Sequence, residues 1–477
     1  MKAATAALIA RRSLGTRPRR TLVLLIGYGV GVAVMLALLA VGDALHWQAQ
    51  DKDVISGGDV VLLPEGIDPE VLKVGGVTAM FLAIPNARFL VRQVLLGPRY
   101  AGVIDGVSPE IADSLVYLRT PRGIHPAKAS ADLPDLARQS RSALAISASA
   151  WKESPHDRKW LKPDPLMLLT EIDRFHRPVK STQGRSWAEW WYFNFSTPDS
   201  LYGYVSMVAD RSRRVLAGVT VVLPDGRIVR WTETHAATAL PFDGSVLQAG
   251  PHRVTLTRGM YRLHLVRPDF SLDLEMRPVA QLYVPPVEWT AGTFVSGYVV
   301  PILRAEVSGV LKVGRLQFLL NGTGYHDHNW GLWEAVTWEW GTVSTADYAL
   351  LAGMIRHPSL GRQQMLVSLY GAHDSRPGLL GLLRASAPTL EEWRPGPLVE
   401  GVRLRVPGRL AYRAVNDAGD HLHVRIEVKD IINTPGKGHV FLQLRARYRV
   451  EGEVGGRSID FTADGFVETF VPRPRER

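Results

Sequence analysis

The sequence predicts a mainly β protein, with two tandem antiparallel β-barrels preceded by one transmembrane helix and a linker. Three observations carry that prediction. Residues 21–41 are almost entirely apolar, and no later segment matches that length. Residues 109–180 lose all periodicity and are punctuated by proline. From about Lys180 onward, short runs rich in Val, Tyr, Trp, Leu and Thr alternate with turn signals. Strands spaced this way suit barrels or sandwiches, and roughly 300 residues of them exceed one small barrel, so two units in tandem are expected.

The 477 residues allow two or three domains, and 46% apolar with 21% charged residues describes a chain with ample core. There is no cysteine, which excludes disulfides and thiolate chemistry. Part of the net charge of +10 lies in residues 1–20, a basic segment carrying Lys2, Arg11, Arg12, Arg17, Arg19 and Arg20. Residues 21–42 follow, long enough to cross the hydrocarbon core, which takes about 20 residues as a helix. Basic residues before the span and Asp43, Asp51 and Asp53 after it place the N-terminus in the cytoplasm. The expectation is therefore a single-pass protein of the inner membrane with its bulk outside the cytoplasm. A cleavable signal peptide would have a shorter apolar region, about 7–15 residues.

The string ALIARRSLGTRPRRTLVLLIGYGVGVAVMLALLAVGDAL, followed by GGDVVLLPEGID, resembles the start of an ABC-transporter permease of the macrolide-exporter or lipoprotein-release type. The resemblance marks residues 43–110 as a permease-like extracytoplasmic segment and implies ABC-transporter subunits as partners. The later helices of such a permease are absent from this sequence, so the chain would not form that pore alone. Residues 111–179 read as a linker with seven prolines between Pro121 and Pro178, and short helical turns near 134–146 and 166–174. Beyond it, Pro224-Asp225-Gly226 and Asn416-Asp417-Ala418-Gly419 are hairpin or turn signals. Helical periodicity is weak there except over Ala387–Trp393.

The densest chemistry is Gly324-Tyr325-His326-Asp327-His328-Asn329-Trp330-Gly331. On a strand, Tyr325, Asp327 and Asn329 share one face and His326, His328 and Trp330 the other. A carboxyl group flanked by a phenol and an amide among apolar neighbours acquires a raised pKa and can donate a proton. The alternative is a buried, hydrogen-bonded structural aspartate. A one-residue slip in register would exchange the faces and turn the histidines inward. Nine of the 13 tryptophans fall between residues 187 and 340. They form either a large core or an apolar cavity lined by aromatic faces, where a lipophilic ligand would sit and a cation would be stabilised. The cavity is favoured because polar groups travel with the indoles: Glu189 in Glu-Trp-Trp-Tyr-Phe-Asn and Glu339 in Trp-Glu-Trp-Gly.

SWAEWWYFNF at 186–195, VSGVLKVGRLQFLLNGTG at 307–324 and GYHDHNWG at 324–331 resemble the carotenoid 1,2-hydratase family. That family includes hydroxyneurosporene synthase, AttH-type proteins and lipocalin-like pericyclases. The resemblance covers about residues 180–475 and implies two lipocalin-like barrels, 180–341 and 342–475. It implies Asp327 as the acid/base with Tyr325 beside it, and AttH-type members accompany ABC transporters, in line with the permease-like start. Hydration of an alkene needs a proton donor, a site that tolerates a tertiary carbocation and a placed water, with no cofactor. Asp327 is the expected donor, oriented by Tyr325 and Asn329. Trp191, Trp330, Trp338 and Trp340 are expected cavity walls, Glu189 the water-positioning group, and His326 and His328 further ligand contacts.

His326-x-His328 and His421-x-His423 have metal-ligand spacing, but no third ligand lies nearby in the sequence. They read as hydrogen-bonded pairs and no metal is expected. Phosphate-binding glycine loops and a Gly-x-Ser-x-Gly elbow are absent from the sequence. Arg445, Arg447 and Arg449 share a strand face that reads as solvated, with anionic lipid as the other reading. Three functions follow as expectations: a membrane-anchored hydratase of an isoprenoid, carotenoid or other polyene, a lipophile-binding accessory of an ABC transporter, or a pericyclase-type enzyme. No nucleic-acid partner is expected.

Overall fold

The computed structural model describes residues 26–35, 84–95, 110–120, 123–132, 172–176, 187–241, 246–279, 283–291, 294–360, 364–373, 376–399, 402–435 and 439–472, with a few isolated positions besides. The chain divides into two compact units, residues 1–82 with 108–151, and residues 83–107 with 152–477. In the first unit, residues 26–35 are helical with exposed side chains. Among the described residues no helix is long and apolar enough to cross a membrane, and the expected span 21–42 lies partly outside them. The same unit holds an antiparallel hairpin, β1 (Glu110–Thr120) and β2 (Gly123–Asp132). That hairpin corrects part of the linker reading. Leu115-Val116-Tyr117-Leu118 is a β-favouring run.

The second unit is almost entirely β and contains two closed antiparallel barrels of ten and eight strands. The first is built from β3 (Trp187–Ser196), β4 (Tyr202–Asp210), β5 (Arg214–Val222), β6 (Ile228–Ala239), β7 (Val246–Ala249), β8 (His252–Thr257), β9 (Met260–Arg267), β10 (Phe270–Pro278), β12 (Phe294–Val313) and β13 (Leu316–Leu332). Neighbours follow sequence order from β10 back to β3, then β13 and β12, and β10 closes on β12; β11 (Val284–Ala291) pairs outside the ring. The second barrel comprises β14 (Thr337–Ser344), β15 (Tyr348–Arg356), β16 (Met365–His373), β17 (Arg376–Ala385), β19 (Val402–Val415), β20 (His421–Pro435), β21 (His439–Val454) and β22 (Arg457–Pro472). It closes through β17 on β19 and β14 on β22, with β18 (Thr389–Val399) as its outer strand.

Two boundaries shift from expectation. The first barrel ends at Leu332 and the second begins with β14 at Thr337, so Trp338 and Trp340 belong to the second barrel. Four tryptophans spread over both sides of it, at 330, 333, 338 and 340, hid the turn between them. Residues 389–393, read as helical, open β18, because pairing with β19 overrides a short amphipathic pattern. The turn signals both fall between paired strands, with Gly226 at φ 84° and Gly419 at φ 86°, conformations glycine adopts without strain.

Alternation sorts the side chains. Tyr261, Leu263 and Leu265 of β9 are buried inside the first barrel, while Arg262 and His264 point out. Leu442, Leu444, Ala446 and Tyr448 of β21 fill the second barrel. Gln443 and Arg445 point from its outer wall toward the first, Arg445 lying over the rings of Tyr202 and Phe466 at 5.3 and 4.8 Å. The barrels therefore meet wall to wall. Tyr202 donates to Asp430 Oδ2 across that seam at 2.9 Å. Helix α1 (Ile84–Leu95) packs against both: Phe89 meets the ring of Tyr283 edge-on at 5.2 Å, and Leu379 N donates to Gln93 Oε1 at 2.9 Å. The last residues of the permease-like segment thus pack with the barrels. Arg447 and Arg449 pair with Asp464 and Asp460 on β22.

Candidate functional site

β13 pairs with β3 in unbroken register from Thr323↔Ser196 to Leu332↔Trp187. The irregularities in this region lie on the other side, between Val299, Ile302 and Ala305 of β12. Alternation along β13 is therefore undisturbed, and its two faces carry two different polar clusters. The sequence motif is split between them.

The seam face carries Tyr325, Asp327 and Asn329. Tyr325 donates its hydroxyl to Asp327 Oδ2 at 2.9 Å, and Asn329 Nδ2 donates to Oδ1 at 2.9 Å. Behind them Tyr298 and Tyr325 share a hydrogen bond of 2.8 Å, and Trp340 Nε1 donates to both phenol oxygens at 3.2 Å. The second barrel adds a second acid: Glu468 Oε2 accepts from Trp338 Nε1 at 2.8 Å and Oε1 from Gln443 Nε2 at 2.8 Å. Gln443 also donates to the Tyr192 hydroxyl at 2.7 Å. Burial, reinforced by the Glu468 charge, holds the Asp327 carboxyl well above the usual carboxylate range, against the opposing pull of Tyr325, Asn329 and His328. Burial pushes Glu468 up to about 7 despite its two donors. Two carboxyl groups in one enclosed cluster, both biased toward the protonated form, can hold a proton and pass it on.

The inner face carries His326, His328 and Trp330, each within the first barrel, and the two imidazoles are fully buried. Glu189 and Trp191 of β3 point the same way. This corrects the water-positioning assignment of Glu189 and the wall assignments of Trp191 and Trp330, since all three lie across the sheet from Asp327. Strand parity decides it: Trp191 pairs with His328 and Tyr192 with Asp327. Trp338 and Trp340 do stand on the Asp327 side. His328 Nε2 lies 2.7 Å from Glu189 Oε1, and its Nδ1 lies 2.9 Å from Asp173 Oδ1, an ion-pair contact outside hydrogen-bond angle. Asp173 Oδ2 also accepts from Tyr261 at 2.7 Å and meets His326 Nε2 at 3.1 Å. His176 places Nδ1 3.0 Å from Glu189 Oε1 and donates its backbone N–H to the same carboxylate. Its ring stacks on Trp330 at 3.6 Å and 6°. Burial would lower the pKa of His328, but close contact with the negative charges of Asp173 and Glu189 raises it to about 9. Burial would raise Asp173, and the two histidines outweigh it and hold Asp173 well below the usual range.

Asp173 and His176 fall in the segment read as linker, whose Leu169, Ile172 and Phe175 are buried in the barrel core. The signal was present: in Glu171-Ile172-Asp173-Arg174-Phe175-His176 an acid and an imidazole are interleaved with apolar residues. Glu468 was also missed; it shares a strand face with Phe466 and Phe470, an unusual place for a carboxylate. A cavity of about 250 Å³ opens at the seam near Tyr202, Val222, Ile228 and Asp430, and Asp327 does not line it.

The fold and site define a double-barrel β protein with one acid cluster in its seam and one imidazole–carboxylate cluster inside its first barrel. No family model matches the chain, and no curated protein does. Among solved structures, CghA with Sch210972 is similar at 13% identity and TM-score 0.44, covering 60% of this chain and 88% of CghA. CghA alone gives the same identity and TM-score over 61% and 90% of the two chains. A Trp-176-Ala mutant of transferrin binding protein B from Haemophilus parasuis Hp5 is similar at 7% identity and TM-score 0.11, over 61% and 77%.

Proposed function

We propose that the protein is a cofactor-independent hydratase of the carotenoid 1,2-hydratase type, acting on an alkene of an apolar isoprenoid or other polyene. The observation that carries this is the buried Asp327 carboxyl, biased toward its protonated form beside Glu468 and walled by Tyr298, Trp338 and Trp340. Asp327 transfers its proton to one alkene carbon, and the C=C π pair forms the new C–H bond. The adjacent carbon becomes a tertiary cation, which the aromatic faces stabilise. Water adds there, and its surplus proton returns to the Asp327 carboxylate directly or through Glu468. Tyr325 and Asn329 orient the carboxyl group. In this reading residues 21–42 tether the barrels to the membrane that holds the substrate, beside an ABC transporter.

A second reading, a lipophile carrier, is favoured by one feature: both Asp327 oxygens already accept a hydrogen bond within the cluster. The full-length chain and its Asp327→Asn variant, each incubated with a lipid extract, separate the two by mass spectrometry. The hydratase yields a product heavier by one water that the variant does not form. If both proteins retain the same lipid unchanged, the chain is a carrier.

A further inference from the structure

The inner cluster of the first barrel takes no part in that chemistry, yet it is enclosed, polar and built from metal-ligating groups. His176, Glu189 and His328 each offer a ligand atom within 4.8 Å of the others, and Glu189 Oε1 lies 3.0 Å from His176 Nδ1 and 2.7 Å from His328 Nε2. We infer that these three side chains form a site for one divalent transition-metal ion of the zinc class. Imidazole nitrogen and carboxylate oxygen are the donors such ions take, at about 2.0–2.2 Å. The two contacts to Glu189, 2.7 and 3.0 Å, are shorter than the roughly 3.3–3.5 Å between donors around a tetrahedral ion. Side-chain shifts of a few tenths of an ångström admit the metal.

An independent feature supports it. Asp173 lies 2.9 Å from Nδ1 of His328, which leaves Nε2 of that ring directed at Glu189. A carboxylate charge behind a metal-bound imidazole raises its basicity. Asp173 is itself held by Tyr261 and His326. The Trp330 stack sets the plane of the His176 ring. The sequence put no third ligand near His328; the fold brings one from β3 and one from the segment ahead of the barrel. Three protein donors leave one position of a four-coordinate ion for water or a substrate atom. The competing occupant is a proton, with His328 an imidazolium between Asp173 and Glu189.

The test uses the full-length chain in detergent, stripped with a chelator and titrated with Co²⁺, read by its visible d–d absorption and by elemental analysis. The site binds about one ion per chain; His176→Gln and Glu189→Gln each lose it, and Asp173→Asn weakens affinity about 10–100-fold. Glu233→Gln, in the separate Glu233/His235/His252 cluster, retains it. Where a variant does not fold, X-ray absorption on the zinc-loaded wild type reads the shell directly, with two imidazoles and a carboxylate expected. Folded wild type that takes up no ion overturns the inference. So does an ion that survives both ligand substitutions, or a shell without two imidazoles.

Discussion

Gln443 of the second barrel donates its amide N–H to the phenol oxygen of Tyr192 of the first at 2.7 Å, joining the two outer walls at the acid cluster. The same nitrogen donates to Glu468 at 2.8 Å, so one amide ties Tyr192, on the strand paired with Asp327, to the second acid. Gln443→Leu removes both donors while keeping most of the volume. It leaves a buried hydroxyl and a carboxyl group short of partners, at a cost of about 1–3 kcal/mol. Denaturant unfolding at neutral pH measures it. A variant as stable as wild type would mean the seam is held by its aromatic contacts alone.

Much of this architecture is legible in the residues, and the failures have physical causes. Strand texture and turn chemistry are local, so Pro224–Gly226 and Asn416–Gly419 lie where the sequence puts turns. The grouping of Tyr325 with Asp327 and Asn329 follows from strand parity alone. What parity does not reveal is which face meets which neighbour. Glu189 looked like a companion of Asp327 because both sit among tryptophans, yet β3 and β13 pair so that Glu189 shares a face with Trp330. Glu468 and His176 carry a local signal of polarity among apolar neighbours, but their partners, like those of Gln443, lie far off in sequence and no local pattern names them. The tryptophans from Trp330 to Trp340 concealed a barrel boundary because they serve two cores.

Gly297 faces Trp330 across the β12–β13 ladder, and a Cβ there would lie 1.9 Å from the indole. Gly297→Ala therefore pushes Trp330 off its stack on His176. Overpacking of this kind costs about 1–3 kcal/mol or more. Near-UV circular dichroism should change with the displaced indole, together with a lower unfolding midpoint. Unchanged spectra and stability would show that the indole has room to move.

Glu468 gives the fold a pH dependence of defined sign. Its pKa rises from 4.5 to about 7 on folding, so between those values the folded state holds more protons than the unfolded one. Its contribution to stability is then greatest at acidic pH and declines as pH rises from about 4.5 through about 7. Glu468→Gln removes that decline. Unfolding free energies of wild type and variant, measured at steps of pH across this window, should diverge in slope. Parallel curves would mean that the Glu468 carboxyl ionises as freely in the fold as in the unfolded chain.

Asp327 sets the expected pH profile of hydration. The donor form is the protonated acid, and the folded pKa lies above the ordinary 3.8, so turnover is present on the acid side and lost as pH rises through the raised value. Tyr325→Phe deletes a hydrogen bond that favours the carboxylate. The descending limb should therefore move to higher pH, with turnover reduced because the carboxyl is less well oriented. Asp327→Asn keeps the acceptor for Tyr325 but has no acidic proton, and its turnover should fall by about 100-fold or more at every pH. A Tyr325→Phe limb that moves to lower pH, or does not move, would remove Asp327 from the role of proton donor and leave the seam as a binding surface.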